Sequence, residues 1–272
     1  MNLVFKTALC IAFLLFIIFV ALTPMLIKEG FDLEESNSKV FVINLDKDKD
    51  RLKEFTQYYQ ESDFKDIPLN RFPGIQGNNV NSDKWIAPHA KTDYQRNIIT
   101  KKREKHHELS QGGLGCFMSH LELAKQLTEE QDPAIQQYIV FEDDSKCKSN
   151  SKSDLYKYMS HLPKDWDFFI AHPLRNNGKD INEYIKKPSS FWGLGLYVIN
   201  KEGAKKLIQE VEEKKIDGQI DCYLSRMNQQ NNMNVYTCYK SLVDDNSHNM
   251  SNIQITLEEN GKDPFDYYGT PL

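Results

Sequence analysis

Several familiar signatures are missing from this 272-residue chain. No GxxxxGK[ST] segment occurs, which excludes a P-loop for nucleotide phosphates. No CxxC pair or paired-histidine spacing occurs, which argues against a zinc-finger-type centre. There is no internal repeat, so a solenoid or propeller is not indicated. Positive charge is not in excess: 34 Lys and Arg stand against 39 Asp and Glu, for a net charge of −5, which argues against nucleic-acid binding. Cysteine is sparse, five in all. Cys10 lies in an apolar run. Cys116, Cys147, Cys222 and Cys238 allow two disulfides in three connectivities if the compartment is oxidising, or four buried thiols if it is not.

What is present is a chain that is 40% hydrophobic and 27% charged, enough apolar side chains for a packed core. The length suits one α/β domain of roughly 200–250 residues with an appendage. The appendage is the uncharged run from Ala8 to Ile27. A helix of about 20 apolar residues matches the bilayer core. Lys6 precedes it, and Lys28 and Glu29 cancel after it. The charge bias places residues 1–27 as cytoplasmic end and transmembrane anchor, with the rest across the membrane. A cleaved signal peptide competes, but its apolar region is usually shorter, and Phe19 is bulky where a small residue is wanted before Ala21. The expectation is a single-pass type II membrane protein whose main domain is lumenal (Golgi or ER) or otherwise non-cytoplasmic. Residues 28–38 read as a polar stem, 39–253 as the main domain, and 254–272, with Gly261, Pro264, Gly269 and Pro271, as an irregular tail. A glycosylation sequon stands at Asn249-Met250-Ser251.

Within the main domain, 40–45, 138–141, 167–171, 196–199 and 235–238 are predicted strands. Ala204, Leu207, Ile208 and Val211 fall at helical spacing. Short apolar strands alternating with helices predict an α/β domain. Ser119 with Glu122 reads as a capping box, which starts a helix near His120 and leaves the glycines of 112–115 leading into its amino terminus, a possible anion site. The basic stretch 91–109 reads as a solvated loop, or as a lid over an anionic ligand.

The most informative segment is Tyr138-Ile139-Val140-Phe141-Glu142-Asp143-Asp144, an apolar strand running straight into three carboxylates. Ligand crevices of open α/β sheets lie at the carboxyl ends of strands. Adjacent carboxylates repel unless a cation or donors offset them, and hard divalent ions favour oxygen ligands. The alternative is an acidic turn.

Five blocks, in order, resemble glycosyltransferase family 25, which includes lipopolysaccharide-type sugar transferases and procollagen galactosyltransferases. They are Ile43-Asn44-Leu45-Asp46 with Asp50-Arg51; Phe72-Pro73-Gly74-Ile75-Gln76-Gly77; Gly112 through His120; Glu142-Asp143-Asp144; and Gly193 through Leu207 with Tyr197, Ile199, Gly203 and Ala204. A last acidic element falls at Asp217 or Asp221. The resemblance covers about residues 39–253; it departs where Gln111-Gly112 replaces a Gly-Glu pair, and the 78–109 insert has no clear counterpart.

The resemblance implies a GT-A-like, single nucleotide-sugar-binding domain with a mixed, mostly parallel sheet. It implies inverting transfer of a hexose, galactose or glucose, from a UDP-sugar to a glycan or protein hydroxyl. Mn²⁺ or Mg²⁺ would offset charge on the departing diphosphate. The metal ligands would be Asp144 and His248. Glu142 or Asp143 would bind ribose or order the loop. Asn44, Arg51 and His120 would also serve the donor, Arg51 through the diphosphate. Asp221, ahead of Asp217, would be the general base, the two sharing a helical face at a spacing of four. Trp192 would stack on a sugar or fill the core. The alternative on the same fold is an inactive sugar-binding or scaffolding module.

Overall fold

The computed structural model describes residues 37–245 and the backbone of 256–257. The anchor, residues 28–36 of the expected stem, His248 and the sequon fall outside these residues, and Ser38, expected in the stem, opens the first strand. Among the described residues no helix is long and apolar enough to cross a membrane.

In chain order the elements are β1 (Ser38–Asn44), α1 (Lys49–Glu61), β2 (Leu69–Pro73), the short α2 (Ser82–Trp85), α3 (Lys91–Thr100), β3 (Lys102–Arg103) and α4 (Gln111–Thr128). Then come β4 (Gln137–Glu142), β5 (Ser145–Cys147), α5 (Ser151–Met159), β6 (Phe168–Ile170), β7 (Arg175–Asp180), β8 (Ile185–Trp192) and β9 (Leu196–Asn200). They are followed by α6 (Lys201–Lys214), α7 (Ile220–Gln229), β10 (Val235–Cys238), β11 (Val243–Asp245) and β12 (Thr256–Leu257).

Eight strands form one sheet in the order β2-β1-β4-β9-β6-β10-β8-β7. The α/β expectation holds, but the sheet is not mostly parallel. β1 runs parallel to β2 and β4, and β6 to β10; the other four pairings, β4–β9, β6–β9, β10–β8 and β7–β8, are antiparallel. The cause is β9, which enters between β4 and β6 against both, and the β7–β8 hairpin, which sequence periodicity did not single out. Among the described residues β2-β1-β4 is the one run of three adjacent parallel strands, and their carboxyl ends therefore meet at one place.

Side chains alternate across a strand, and β4 shows the consequence. Tyr138 and Val140 join the core under α4, with Leu114, Phe117 and Leu121. On the opposite face, the ring of Phe141 lies 5.3 Å from both Phe55 and Phe64 and meets Tyr59 edge-on at 6.2 Å. Phe55 and Tyr59 are the buried stripe of α1. Offset and edge-on ring pairs of this kind add about 0.5–1.5 kcal/mol each beyond area burial.

The first turn of α4 lies nine residues earlier than the Ser119 capping box implied. Ser110 is the N-cap, its hydroxyl accepting from the Gly113 amide at 2.9 Å. Ser119 sits mid-helix, where its hydroxyl donates to Gly115 O and accepts from the Ile75 amide, both at 2.8 Å. The glycines are thus inside the helix, and close packing demands them. A Cβ on Gly115 would fall 2.3 Å from Ile75 O, and one on Gly113 would meet the Gln219 side chain at 2.5 Å.

The 91–109 stretch is a packed segment rather than a solvated loop. It contains α3 and β3, and Asn97, Arg103, Glu108 and Leu109 are buried. Arg96 binds Asp93, Glu104 and Glu108, so acids within the segment absorb its charge. In the tail, β12 pairs in parallel with β3.

Candidate functional site

A pocket of about 320 Å³ opens at the carboxyl ends of β2, β1 and β4. Its lining includes Asn44, Lys47, Arg51, His120 and the three acids Glu142, Asp143 and Asp144. Gln111 and Gly112 bring the amino terminus of α4 to the same wall. A helix start with free amide donors favours an anion there.

Alternation distributes the acids. Glu142, with the parity of Tyr138 and Val140, turns toward α4: its Oε1 lies 3.2 Å from His120 Nε2 and accepts from the Cys116 thiol at 3.9 Å. The other imidazole nitrogen of His120, Nδ1, is 2.8 Å from the Tyr197 hydroxyl. Asp143 turns to the α1 side. Its Oδ2 accepts from Asn44 Nδ2 at 2.6 Å and its Oδ1 meets the Arg51 guanidinium at 2.6 Å. The same Arg51 nitrogen is 3.0 Å from Asp144 Oδ2. Arg51 Nε is buried without a hydrogen-bond partner among the described residues. Asn44 is itself held by Arg71, whose Nε donates to its side-chain oxygen at 3.1 Å.

These surroundings set the carboxyls apart. Burial raises Glu142, but the His120 hydrogen bond and the charges of His120, His172 and Arg51 outweigh it, so Glu142 is held below the usual range. Burial pushes Asp143 up to about 6, with Arg51 and Asn44 opposing. Burial and then the Glu142 charge push Asp144 up to about 7, against the pull of Arg51. One arginine does not offset three carboxylates. Burial, then the charges of Glu142, Asp221 and Asp144, raise the Cys116 thiol well above its ordinary value; Asp221 itself is not among the residues lining the pocket.

The two candidate bases differ. Asp221 lies in the first turn of α7, its Oδ1 accepting from the Cys222 amide at 2.7 Å and its Oδ2 from Gly193 N at 3.2 Å. Asp217 precedes the helix, so the two do not share a helical face. Its Oδ2 is engaged by Arg226 at 2.5 Å and lies 3.6 Å from His89. Trp192 is already covered: His106 stacks on it at 3.8 Å, the ring planes nearly parallel at 6°, and the Arg175 guanidinium lies 4.5 Å over the ring.

Sequence reasoning missed His172 and Asp245. β11 pairs antiparallel with β5 and sets Asp245 opposite Ser145, the residue after Asp144. His172 Nε2 is 2.8 Å from Asp245 Oδ1, and Nδ1 bonds the Ser241 hydroxyl. No local pattern signals this, because the two residues are 73 positions apart. Cys116, Cys147, Cys222 and Cys238 are thiols rather than disulfides.

Residues 37–177 match the family model described as glycosyltransferase family 25 (LPS biosynthesis protein). Among curated proteins, the chain is similar to a "Glycosyltransferase 25 family member" of Anopheles gambiae, 26% identical over 185 residues that cover 64% of this chain and 29% of that protein. It is also similar to "Procollagen galactosyltransferase 1-A" of Xenopus laevis, 26% identical over 64% of this chain and 28% of that protein. A third is the "Probable inactive glycosyltransferase 25 family member 3" of Bos taurus, 24% identical over 66% of this chain and 29% of that one. The match thus spans under a third of the length of these relatives. Two solved structures show slight likeness. A glycosyltransferase involved in glycosylation of the major capsid of PBCV-1 has 9% identity and a TM-score of 0.34 over 64% of each chain. Mouse xyloside xylosyltransferase 1 has 10% identity and a TM-score of 0.37 over 72% of this chain and 70% of that one.

Proposed function

The chain belongs to glycosyltransferase family 25, and from that premise we propose that it is a GT-A-like, inverting hexosyltransferase. It moves galactose or glucose from a UDP-sugar to a hydroxyl of a glycan or protein acceptor. The observation that carries this reading is the convergence, at one pocket, of Glu142, Asp143 and Asp144 with Arg51 and the start of α4. Acids for a cation and donors for a diphosphate face the same space.

The residues fit a hard divalent ion, Mn²⁺ or Mg²⁺. The donor set is carboxylate oxygen, and Asp144 sits at about 7 because burial and Glu142 disfavour its charge. Asp144 would hold the ion, with His248, or Asp245 in register with Ser145, as second ligand. When bound, the ion offsets the charge that develops on the departing diphosphate.

The chain's own groups do the remainder. Arg51 exchanges its carboxylate contacts for diphosphate oxygens, where its unpartnered Nε–H becomes a second donor. The amides at Gln111 and Gly112 receive the same anion. Asn44 holds Asp143 in place beside the ribose site, and His120 orients Glu142. Asp221 accepts the proton of the acceptor hydroxyl as it attacks the anomeric carbon from the face opposite the leaving group. Residues 8–27 anchor the domain on the non-cytoplasmic side.

The test is turnover and calorimetric binding of UDP-galactose and UDP-glucose with Mn²⁺, with Mg²⁺, and with chelator. Metal-dependent hydrolysis or transfer that vanishes in Asp144→Asn supports the reading. Binding without turnover under every condition would leave the inactive sugar-binding module in its place.

A further inference from the structure

We propose that Cys116, His120 and Glu142 form a second metal site, distinct from the oxygen-ligand site at Asp144, that takes a thiophilic ion of the Zn²⁺ class. Cys116 and His120 are four residues apart on α4 and so share one face of the helix. β4 ends opposite that face and delivers Glu142. The three ligand atoms all lie within 4.8 Å of one another.

Two of the three separations lie close to those of the ion, and the third is within 4.8 Å. With Zn–N and Zn–O near 2.0–2.1 Å and Zn–S near 2.3 Å, a tetrahedral site places N and O about 3.3 Å apart and S and O about 3.6 Å apart. The structure has 3.2 Å from His120 Nε2 to Glu142 Oε1 and 3.9 Å from Cys116 Sγ to the same oxygen. Three protein ligands leave a fourth position, and all three line the pocket.

The surroundings also suit a ligating imidazole. Metal-bound histidines hold their other ring nitrogen on a hydrogen-bond partner that sets tautomer and orientation. Here the Tyr197 hydroxyl, 2.8 Å from Nδ1, is in place, and His120 is buried at 3% exposure. Ligation releases the thiol proton to solvent and replaces it with the ion. The absence of CxxC and paired-histidine spacings did not exclude this site, because the third ligand comes from a strand 22 residues away.

A thiophilic ion here would occupy Glu142 and His120 and inhibit rather than activate. That consequence rests on the donor reading of the pocket; the site itself does not.

The experiment is titration of the metal-free, full-length protein with Co²⁺ alone, followed by absorption. The expected result is a thiolate-to-cobalt charge-transfer band with tetrahedral d–d intensity, displaced by Zn²⁺. Cys116→Ser should abolish the charge-transfer band, while Cys222→Ser and Asp144→Asn keep it. Zn²⁺ should also protect Cys116 of the unmodified protein from alkylation, a readout that needs no variant to fold. A band that persists in Cys116→Ser, or alkylation of Cys116 at the same rate with and without Zn²⁺, would overturn the site. A retained band with undiminished turnover in Zn²⁺ would instead count against the donor reading.

Discussion

Replacing Arg51 by Met should make stability fall with rising pH much more steeply than in the parent protein. Arg51 is 13% exposed and bridges Asp143 and Asp144, whose side chains are 10% and 34% exposed. Methionine keeps much of the aliphatic stem and removes the charge. An unfolded aspartate titrates near 3.9, whereas in the fold Asp143 is pushed up to about 6 and Asp144 to about 7. The folded state therefore holds more protons than the unfolded state across the window between about 4 and about 7, and stability declines as pH rises through it. Loss of an opposite charge at this range raises each carboxyl by roughly 1–2 units more. Each unit is worth about 1.36 kcal/mol, and the contribution of the more exposed Asp144 is discounted for screening. The extra loss in Arg51→Met then grows by about 2–4 kcal/mol between roughly pH 5 and pH 8, within the range for breaking a buried pair. Urea unfolding followed by tryptophan fluorescence, in chelator, at several pH values measures it. A difference between variant and parent that is flat with pH would refute the charge argument.

Asp221→Asn should lower kcat by roughly 10²–10⁴-fold, the range of a general base, with binding of the UDP-sugar intact; steady-state kinetics check this, and unchanged turnover removes Asp221 from the mechanism. Asp217→Asn should leave kcat within a few-fold but cost up to about 1 kcal/mol of stability through its partly exposed Arg226 pair. Phe141→Ala should cost about 3–5 kcal/mol in urea unfolding, because its ring touches Phe55, Tyr59 and Phe64. Gly115→Ala should weaken UDP binding, since the new Cβ would press 2.3 Å from Ile75 O and 2.6 Å from Gly77 N, and both residues line the pocket. Calorimetry with uridine diphosphate that finds equal affinity would contradict this.

The strand ending in Glu142-Asp143-Asp144 was legible by itself, because a run of buried β-formers needs no partner to be recognised and its period of two already assigns Glu142 and Asp143 to opposite faces. The α/β class followed from the same local patterns. The α4 start was misread at Ser119, since a capping signature says nothing of whether the preceding glycines are helical. The 91–109 stretch looked solvated because its half-buried pairs, Arg96 with the buried Glu108 among them, are invisible to local hydropathy. The direction of β9, the cover on Trp192 and the separation of Asp217 from Asp221 were likewise beyond local reading.

Local sequence alone determined where strands end and which carboxylates they carry, because propensity and alternation act over a few residues. The tertiary structure alone decided which groups meet those carboxylates: Arg51 and Asn44 at Asp143, Cys116 and His120 at Glu142, Asp245 opposite Ser145. The reason is that such meetings are made by sheet order and register between segments far apart in the chain, and those depend on how the whole apolar surface is buried rather than on any one segment.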